Sequence, residues 1–566
     1  MRITRIAAVL AATALLATAC KREAEVTVDN PLLAYVPPDT PYVYANLEPT
    51  PGQIVDAYLL RAGPMLDAAQ TLLGDLQVEI SADEPGELSR ARLVRALLTE
   101  FDGKLNRAGL ESLGLSLESQ VVVYGAGVFP VARIALKDPE ALRAAIARVE
   151  QNSGVPFTTH RLGETNYWRV SAQGNGPAAY FAIIENHFAF GIFLPAAEAE
   201  WLPAFLGQTL PENPTAAAQL AALNKDKGYT GFGSGFADLQ KLATEFFDPN
   251  SRTASLLADL GHAPGLQLDA QCKAEIQSII AKAPRIVTGT TELTADRIGL
   301  SYQLELEGAL AAKLAELVAE VPVADSDPSK MFSAALGLKM GRLRDFAREQ
   351  FTAIASTPYQ CAQLQHLNQQ ASVALEQLNQ PLPPFVNNLK GFRVSLDEFD
   401  LANFEPRNVR GLFSLEMEKP QMVIGMAQMF LPGMENLTLE PGADPVALPQ
   451  ELLSFAADGL QVYAAMGHDS IGIALGESKQ EDLQRFMAAD AANRNVFFSL
   501  EYDMAAQLEL QQRMQQQISN QDDAPAAHEE FARALQDAYK AWLGRSRLEV
   551  SFEPDGIRMD TSISFR

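Results

Sequence analysis

Cysteine is nearly absent from this chain: Cys20, Cys272 and Cys361 are the three among 566 residues. No CxxC pair occurs, so neither a dithiol redox motif nor a cysteine zinc site is encoded. Histidine is almost as scarce. None of His160, His187, His262, His366, His468 and His528 stands three to five residues from another, which removes metal helices of the HExxH type. No metal or other cofactor is therefore expected. Basic residues are in the minority, 45 Lys and Arg against 70 Asp and Glu, for a formal charge of −25. Nucleic acid demands basic patches and is excluded as a partner, and broad contact with anionic lipid is disfavoured. Long apolar runs are missing too: Ile6–Ala19 has 14 residues, against the roughly 20 that a spanning helix needs.

What is present first gives an address. Arg2 and Arg5 precede the apolar run, and Ala17-Thr18-Ala19 precede Cys20. A basic start, a short apolar stretch and small residues make a secretory signal over residues 1–19. Its end resembles the lipobox of bacterial lipoproteins, with Ala17 where leucine is commonest. The resemblance implies cleavage before Cys20, a diacylglycerol on its sulfur and a third acyl chain on its amine. Each buried methylene contributes about 0.8 kcal/mol, and two or more chains hold a protein on a membrane without a spanning helix. In such lipoproteins an aspartate after the cysteine retains the protein at the inner membrane. Lys21 stands there instead, so the resemblance implies the outer membrane. Losing residues 1–19 removes two arginines and no acids, leaving a mature charge near −27.

Residues 20–31 read as a linker from the lipidated cysteine, and the body beyond repeats a unit of strand, helix, helix and β-hairpin. The units begin at PYVYANLEP (41–49), GYTGFGSGF (228–236), MFSAALGLKM (331–340) and VFFSLEYDM (496–504). In the first, helices are expected near 51–73 and 88–113. Two units carry an extra hairpin and helix, YFAIIENHFAFGIF and LQVYAAMGHDSIGIAL. The chain thus reads as two pseudo-symmetric α+β halves, 32–325 and 326–566, with PVADSDPSK (322–330) as the seam. Hairpins in place of strand-helix-strand alternation predict antiparallel sheets backed by helices. In the last hairpin, Leu548, Val550 and Phe552 and then Ile557, Met559, Thr561, Ile563 and Phe565 alternate with polar residues. A turn at Asp555-Gly556 places Phe552 opposite Met559 and Leu548 opposite Ile563. Leu310, Leu314, Leu317, Val318 and Val321 form a helical stripe, as do Phe531, Leu535, Ala538, Tyr539, Trp542 and Leu543.

Cys272 and Cys361 each open the second helix of their unit. Equivalent points of two halves can meet on a pseudo-twofold axis, so a disulfide between them is expected in an exported protein. Catalytic signatures are weak. Ser234, in GFGSGF, has Phe232 where a nucleophile elbow needs glycine, and small residues in a strand more often admit a close neighbour. His187 and His468 fall in corresponding hairpin turns, where solvent exposure is expected. The DEFD cluster (397–400) reads as a solvated turn, because a calcium loop would need more oxygens and a glycine. Scattered carboxylates still allow a glycosidase pair assembled in space. The Gln-rich helices QLQHLNQQ and LELQQRMQQQ read as exposed faces.

The opening LLAYVPPDTPYVYANLEP resembles a family of bacterial envelope proteins, a domain of unknown function beginning with a YVPxDT-like motif, here Tyr35, Val36, Pro37, Asp39, Thr40 and Asn46. The family also has DPEAL-type helix starts, here Asp138–Leu142. The resemblance implies an envelope address and brings no catalytic residues. The resulting expectation is a lipid-anchored binding or scaffold protein for an envelope protein, peptide or glycan. The alternatives are a carrier of an apolar ligand and a hydrolase with a spatially assembled site.

Overall fold

This computed structural model describes residues 30–566 apart from 80–84, 156, 172–176, 196–197, 249–250, 252, 254–267, 328, 399–408, 431–432, 436, 450–452, 454–459, 477–478, 492–494 and 510–535. The signal, Cys20, His262, His528, Phe531, Leu535 and most of the second Gln-rich helix lie outside the described residues.

The family-like opening is structural. Asn30 starts a 3-10 turn, Pro31–Tyr35, and its amide donates to the Asn46 and Val121 carbonyls. The buried Thr40 hydroxyl lies 2.8 Å from the Tyr42 and Gly125 carbonyls and accepts from Gly125 N–H. Asn46 donates to Ser119 and accepts from Val121. These bonds fix β1 (Tyr42–Ala45) before α1 (Gly52–Glu79) begins. The helix expected over 88–113 is two, α2 (Pro85–Phe101) and α3 (Arg107–Ser112). Gly103 takes φ +69° between them, and Asn106 caps the second by accepting from Gly109 N–H.

Next come β2 (Val121–Ala126), β3 (Phe129–Ala135) and α4 (Pro139–Ser153). Asp138 caps α4, Pro139 opens it, and Gly154 closes it at φ +64°. Then follow β4 (Thr159–Leu162), β5 (Thr165–Ser171), β6 (Ala178–Ile184), β7 (His187–Phe193), α5 (Glu198–Phe205) and α6 (Ala216–Lys227). The chain continues with β8 (Ser234–Asp238), α7 (Leu239–Phe247), α8 (Ala270–Lys282), β9 (Arg285–Leu293), β10 (Arg297–Glu305) and α9 (Gly308–Ala315). Beyond them lie β11 (Phe332–Gly337), α10 (Met340–Ser356), α11 (Gln365–Leu378), β12 (Leu389–Glu398), β13 (Arg410–Met417) and α12 (Pro420–Phe430). After these come β14 (Val446–Ala447), β15 (Val462–Met466), β16 (Ser470–Leu475), α13 (Gln480–Met487), β17 (Val496–Asp503), β18 (Leu543–Glu553) and β19 (Gly556–Phe565).

The fold is mixed α and β, and the strands among the described residues form one 19-stranded sheet. Its order is β4-β5-β6-β7-β3-β2-β1-β8-β9-β10-β19-β18-β17-β11-β12-β13-β16-β15-β14, and each of these neighbours is antiparallel. β10 and β19 join the N-terminal and C-terminal parts, from Arg297↔Ser564 to Glu305↔Gly556.

The register of the last hairpin differs from expectation by two residues. Phe552 faces Ile557, Val550 faces Met559 and Leu548 faces Thr561. Pro554-Asp555 form the turn, because proline's fixed φ suits the first turn position. Gly556 joins the ladder, where a Cβ would come within 2.0 Å of the Leu304 carbonyl. A shift of two keeps every side chain on its expected face.

The expected helical stripe over 310–321 also breaks. Helix α9 ends at Ala315, and residues 317–327 run over the sheet instead. Ala324 N–H donates to Ser499 Oγ and Asp325 N–H to Ser333 Oγ. The seam is therefore a packed strap in which Val321 and Ala324 are buried.

Candidate binding face

Strand side chains alternate between two faces, and burial separates those faces along the sheet. One face is closed. The Pro31–Tyr35 turn, α5 and α6 cover it over β1, β2, β3, β6 and β7, with Val43, Ala45, Val122, Tyr124, Tyr180 and Phe193 inside. Helix α13 covers it over β13, β15 and β16, through Leu412, Ala465, Ala474, Leu483 and Phe486. Between these caps the covered face is polar: Ser301, Gln303, Ser333, Ser499, Glu501 and Ser551 are all buried. Arg545 and Arg547 pair with Glu501 at 2.7 and 2.9 Å, and Arg547 also reaches Ser326 in the strap.

The opposite face is apolar and open only in its middle rows: Leu317, Val318 and Phe346 close it over Phe552 and Ile557, and Tyr58 of α1 packs on Phe565 at the other end. The ladders put Tyr44, Gly235, Thr288, Tyr302, Met559 and Val550 in one row across β1, β8, β9, β10, β19 and β18. The next row runs through Ala237, Ile286, Leu304, Ile557 and Phe552 over β8, β9, β10, β19 and β18. From β1 to β11 no ladder position on this face carries a charged side chain. Tyr44 (42 %), Ile286 (41 %), Tyr302 (40 %) and Met559 (37 %) remain exposed, as do Val170 and Ile192 farther out on the same face. Over the central strands the usual arrangement is thus inverted, with polar residues inside and apolar residues facing water. Moving each of those four side chains out of water would contribute about 1 kcal/mol.

A groove of about 260 Å³ indents this face between Tyr42, Tyr44, Val123, Ala237 and Ile286. Burial pushes the Tyr42 hydroxyl up to about 12, and that hydroxyl donates to the Val128 carbonyl. Burial raises Tyr44 too, with the Tyr302 hydroxyl as the second cause. The glycines of GFGSGF shape the groove floor. A Cβ on Gly235 would lie 2.5 Å from the Val43 carbonyl and 2.9 Å from the Tyr44 ring, so glycine lets that ring lie flat. Larger polar cavities lie elsewhere: one of about 370 Å³ is lined by Asp226, Asp238, Lys241 and Arg285, and two are near 620–630 Å³. One is lined by Lys339, Arg342, Asp345 and Lys390, the other by Arg143, Glu150, Asn166 and Trp168.

The structure brings Cys272 and Cys361 together as a disulfide, Cα atoms 4.5 Å apart and 89 residues apart in sequence. Cys272 lies in the first turn of α8, whereas Cys361 precedes α11 in a turn rather than opening it. Five strand spacings, about 24 Å, separate β9, which α8 enters, from β11, which α10 leaves. The helical arms α7–α8 and α10–α11 therefore converge at their tips. Ser234 is fully buried and its hydroxyl has no partner, so it is a packing residue beside Gly235.

His187 corrects its expectation. It is the first residue of β7, 4 % exposed, and not a solvent-facing turn residue. Register pairs His187 with Ala135 across the β3–β7 ladder. His468 is exposed in its turn. Asp397 is corrected as well: it lies in β12, largely buried, and pairs with Lys330 at 2.6 Å and with Lys479. Phe399 and Asp400 lie outside the described residues. His160 stacks on Tyr167, and His366 meets the Gln363 carbonyl. Among the described residues no group of three or more His, Cys, Asp or Glu could hold a metal ion, and no helix is long and apolar enough to cross a membrane.

Sequence reasoning missed the buried arginines. Arg133 on β3 donates to the Phe205 carbonyl at 2.8 Å, and Arg393 on β12 donates to the Phe486 carbonyl. Each guanidinium neutralises the free carbonyls ending a helix, α5 or α13. An arginine among alternating apolar residues, before a helix with Phe in its last turn, was the available signal. Comparison with known proteins gives no relative: no family model, no curated protein and no solved structure matches this chain.

Proposed function

We propose that this chain is a lipid-anchored envelope protein, held to the outer membrane through acylated Cys20 and facing the periplasm, whose open sheet face docks an apolar protein surface. The observation that carries the docking role is the inverted centre of the sheet. The exposed apolar side chains run from Val170 on β5 through Ile192, Tyr44, Ile286 and Tyr302 to Met559 on β19, nine strand spacings or roughly 43 Å along the sheet. Soluble monomers rarely leave more than a few hundred Å² of contiguous apolar surface bare, and a standard interface takes about 800 Å² from each partner. A partner of protein size fits that area better than a small ligand does.

The reading includes a body of two duplicated halves. In its favour, the strands on either side of the β10–β19 pair follow the same sequence of connections: hairpin partner, two unit-opening strands, second hairpin, extra hairpin. The Arg133–Phe205 and Arg393–Phe486 contacts recur in the two parts. The envelope address rests on the signal-like start and on the resemblance of the YVPxDT opening.

A photoreactive phenylalanine analogue at Tyr302 and at Met559, with exposed Glu212 as control, tests the docking role in intact cells. Protein adducts at 302 and 559 but not at 212 are expected; adducts equal at all three positions, or none at 302 and 559, overturn it. The groove at Tyr44 and Ile286 favours a second reading, carriage of an apolar ligand, for which the same positions would yield lipid adducts. The anchor is tested separately. Cys20→Ser should abolish incorporation of labelled palmitate, and incorporation equal to that of the wild type overturns it.

A further inference from the structure

Two helices of this molecule leave the sheet in the same manner and differ in chemistry. Helix α4 follows β3 and begins at Pro139; α12 follows β13 and begins at Pro420. Helix α4 carries Glu140, Arg143, Arg148 and Glu150, and packs along α2, where Arg148 donates to the buried carboxylate of Glu100. Helix α12 reads PQMVIGMAQMF, and no charge occurs from Pro420 through Met434. No described helix packs along it as α2 packs along α4. Met422, Met426, Met429 and Phe430 fall at i, i+4, i+7 and i+8, one stripe of the helix. Its end protrudes: Met429 is 72 % exposed and Phe430 is 78 % exposed.

The geometry points to α12 as a second membrane contact, a short apolar helix whose Met429 and Phe430 enter the lipid interface. Three observations favour a bilayer over a protein. The end of α12 is a protruding wedge; a protein would need a matching pocket, whereas acyl chains close around any apolar shape. Methionine adapts to such a fluid surface. The chain as a whole carries −25, and this stretch brings no charge of its own to be repelled by lipid headgroups. The tether agrees with this placement. Nine residues, 21–29, can span at most about 30 Å, more than the strand length of about 20 Å, so a bilayer tethered through them can reach the sheet end from which α12 leaves. The inference rests on the anchoring reading only for bringing a bilayer near.

The test uses the unlipidated chain from Lys21 to Arg566, which keeps the whole described body, and phosphatidylcholine vesicles, which bear no net charge. Flotation should show binding, and Met429→Gln with Phe430→Gln should weaken it by about tenfold or more. Leu60→Gln, at an exposed leucine of α1, should leave it unchanged. The indole fluorescence of a Phe430→Trp variant should be quenched by brominated acyl chains, a readout that requires no loss of binding. Absence of vesicle binding, equal loss with Leu60→Gln, or indole fluorescence that brominated lipid leaves unquenched overturns the proposal. Because this chain lacks Cys20, the result is independent of whether that residue is acylated.

Discussion

Arg133 Nη1 lies 2.9 Å from His187 Nε2, with both side chains buried and the Arg133 guanidinium 4.1 Å from the Tyr35 ring centre. A guanidinium only donates, so the imidazole accepts through Nε2 and must be neutral. Burial, and secondarily the Arg133 charge, press His187 down to about 4. Its folded value lies below its unfolded value near 6.5. The contribution to stability is therefore complete above pH 6.5 and is lost as pH falls toward 4, because the unfolded chain binds the proton more readily. The loss amounts to about 3 kcal/mol. Urea unfolding at pH 7 and pH 4.5 should show it in the wild type, and His187→Gln should remove most of this pH dependence.

The buried arginine of the second cap can be moved. Arg393 pairs directly across the ladder with Ser414, as Arg133 pairs with Val122. Arg393→Val should cost about 2 kcal/mol by orphaning the Phe486 carbonyl. Adding Ser414→Arg returns a guanidinium to the same ladder position one strand over and should restore part of the midpoint in chemical denaturation. A double variant less stable than the single would contradict this account.

Gly235 and Ser234 should respond oppositely although they are neighbours. Gly235→Ala forces a Cβ against the Val43 carbonyl and the Tyr44 ring, and should cost about 1–3 kcal/mol. Ser234→Ala deletes a buried hydroxyl without a partner, so the melting temperature should hold or rise. Calorimetry of the two variants separates a packing role from a catalytic one.

The Cys272–Cys361 bond closes a loop of 89 residues, which in the chain-entropy model contributes about 4 kcal/mol. The paired Cys272→Ser and Cys361→Ser variant should unfold at correspondingly lower denaturant. Non-reducing peptide mapping of the wild type should recover the two cysteines in one linked fragment.

Much of this architecture was legible in the residues. Alternation located the hairpins, and Asp138-Pro139 announced α4. Gly103 within a long helical pattern could have announced the break before α3. What the sequence withheld was which face of the sheet meets water. Ser301 and Gln303 alternate with Leu300, Tyr302 and Leu304, a pattern that ordinarily sends the leucines inward. Here the strap and α6 cover the polar side, a long-range choice that no local period records. His187 was misplaced for a similar reason: ENHF reads as a turn, but only the pairing with Ala135 shows that the turn ends at Asn186. Asp397 had two lysine partners distant in sequence, Lys330 and Lys479, and carboxylate clustering alone could not name them.

The β10–β19 pairing sets a timetable for assembly. Synthesis delivers the chain from its N-terminus, so β10 emerges about 250 residues before its neighbour β19. Until then the nine paired positions of β10 present an unfilled edge, an invitation to mispairing. This late strand is thus the keystone. Without residues 556–566, β10 and β18 would stand as two bare edges, each a template for aggregation.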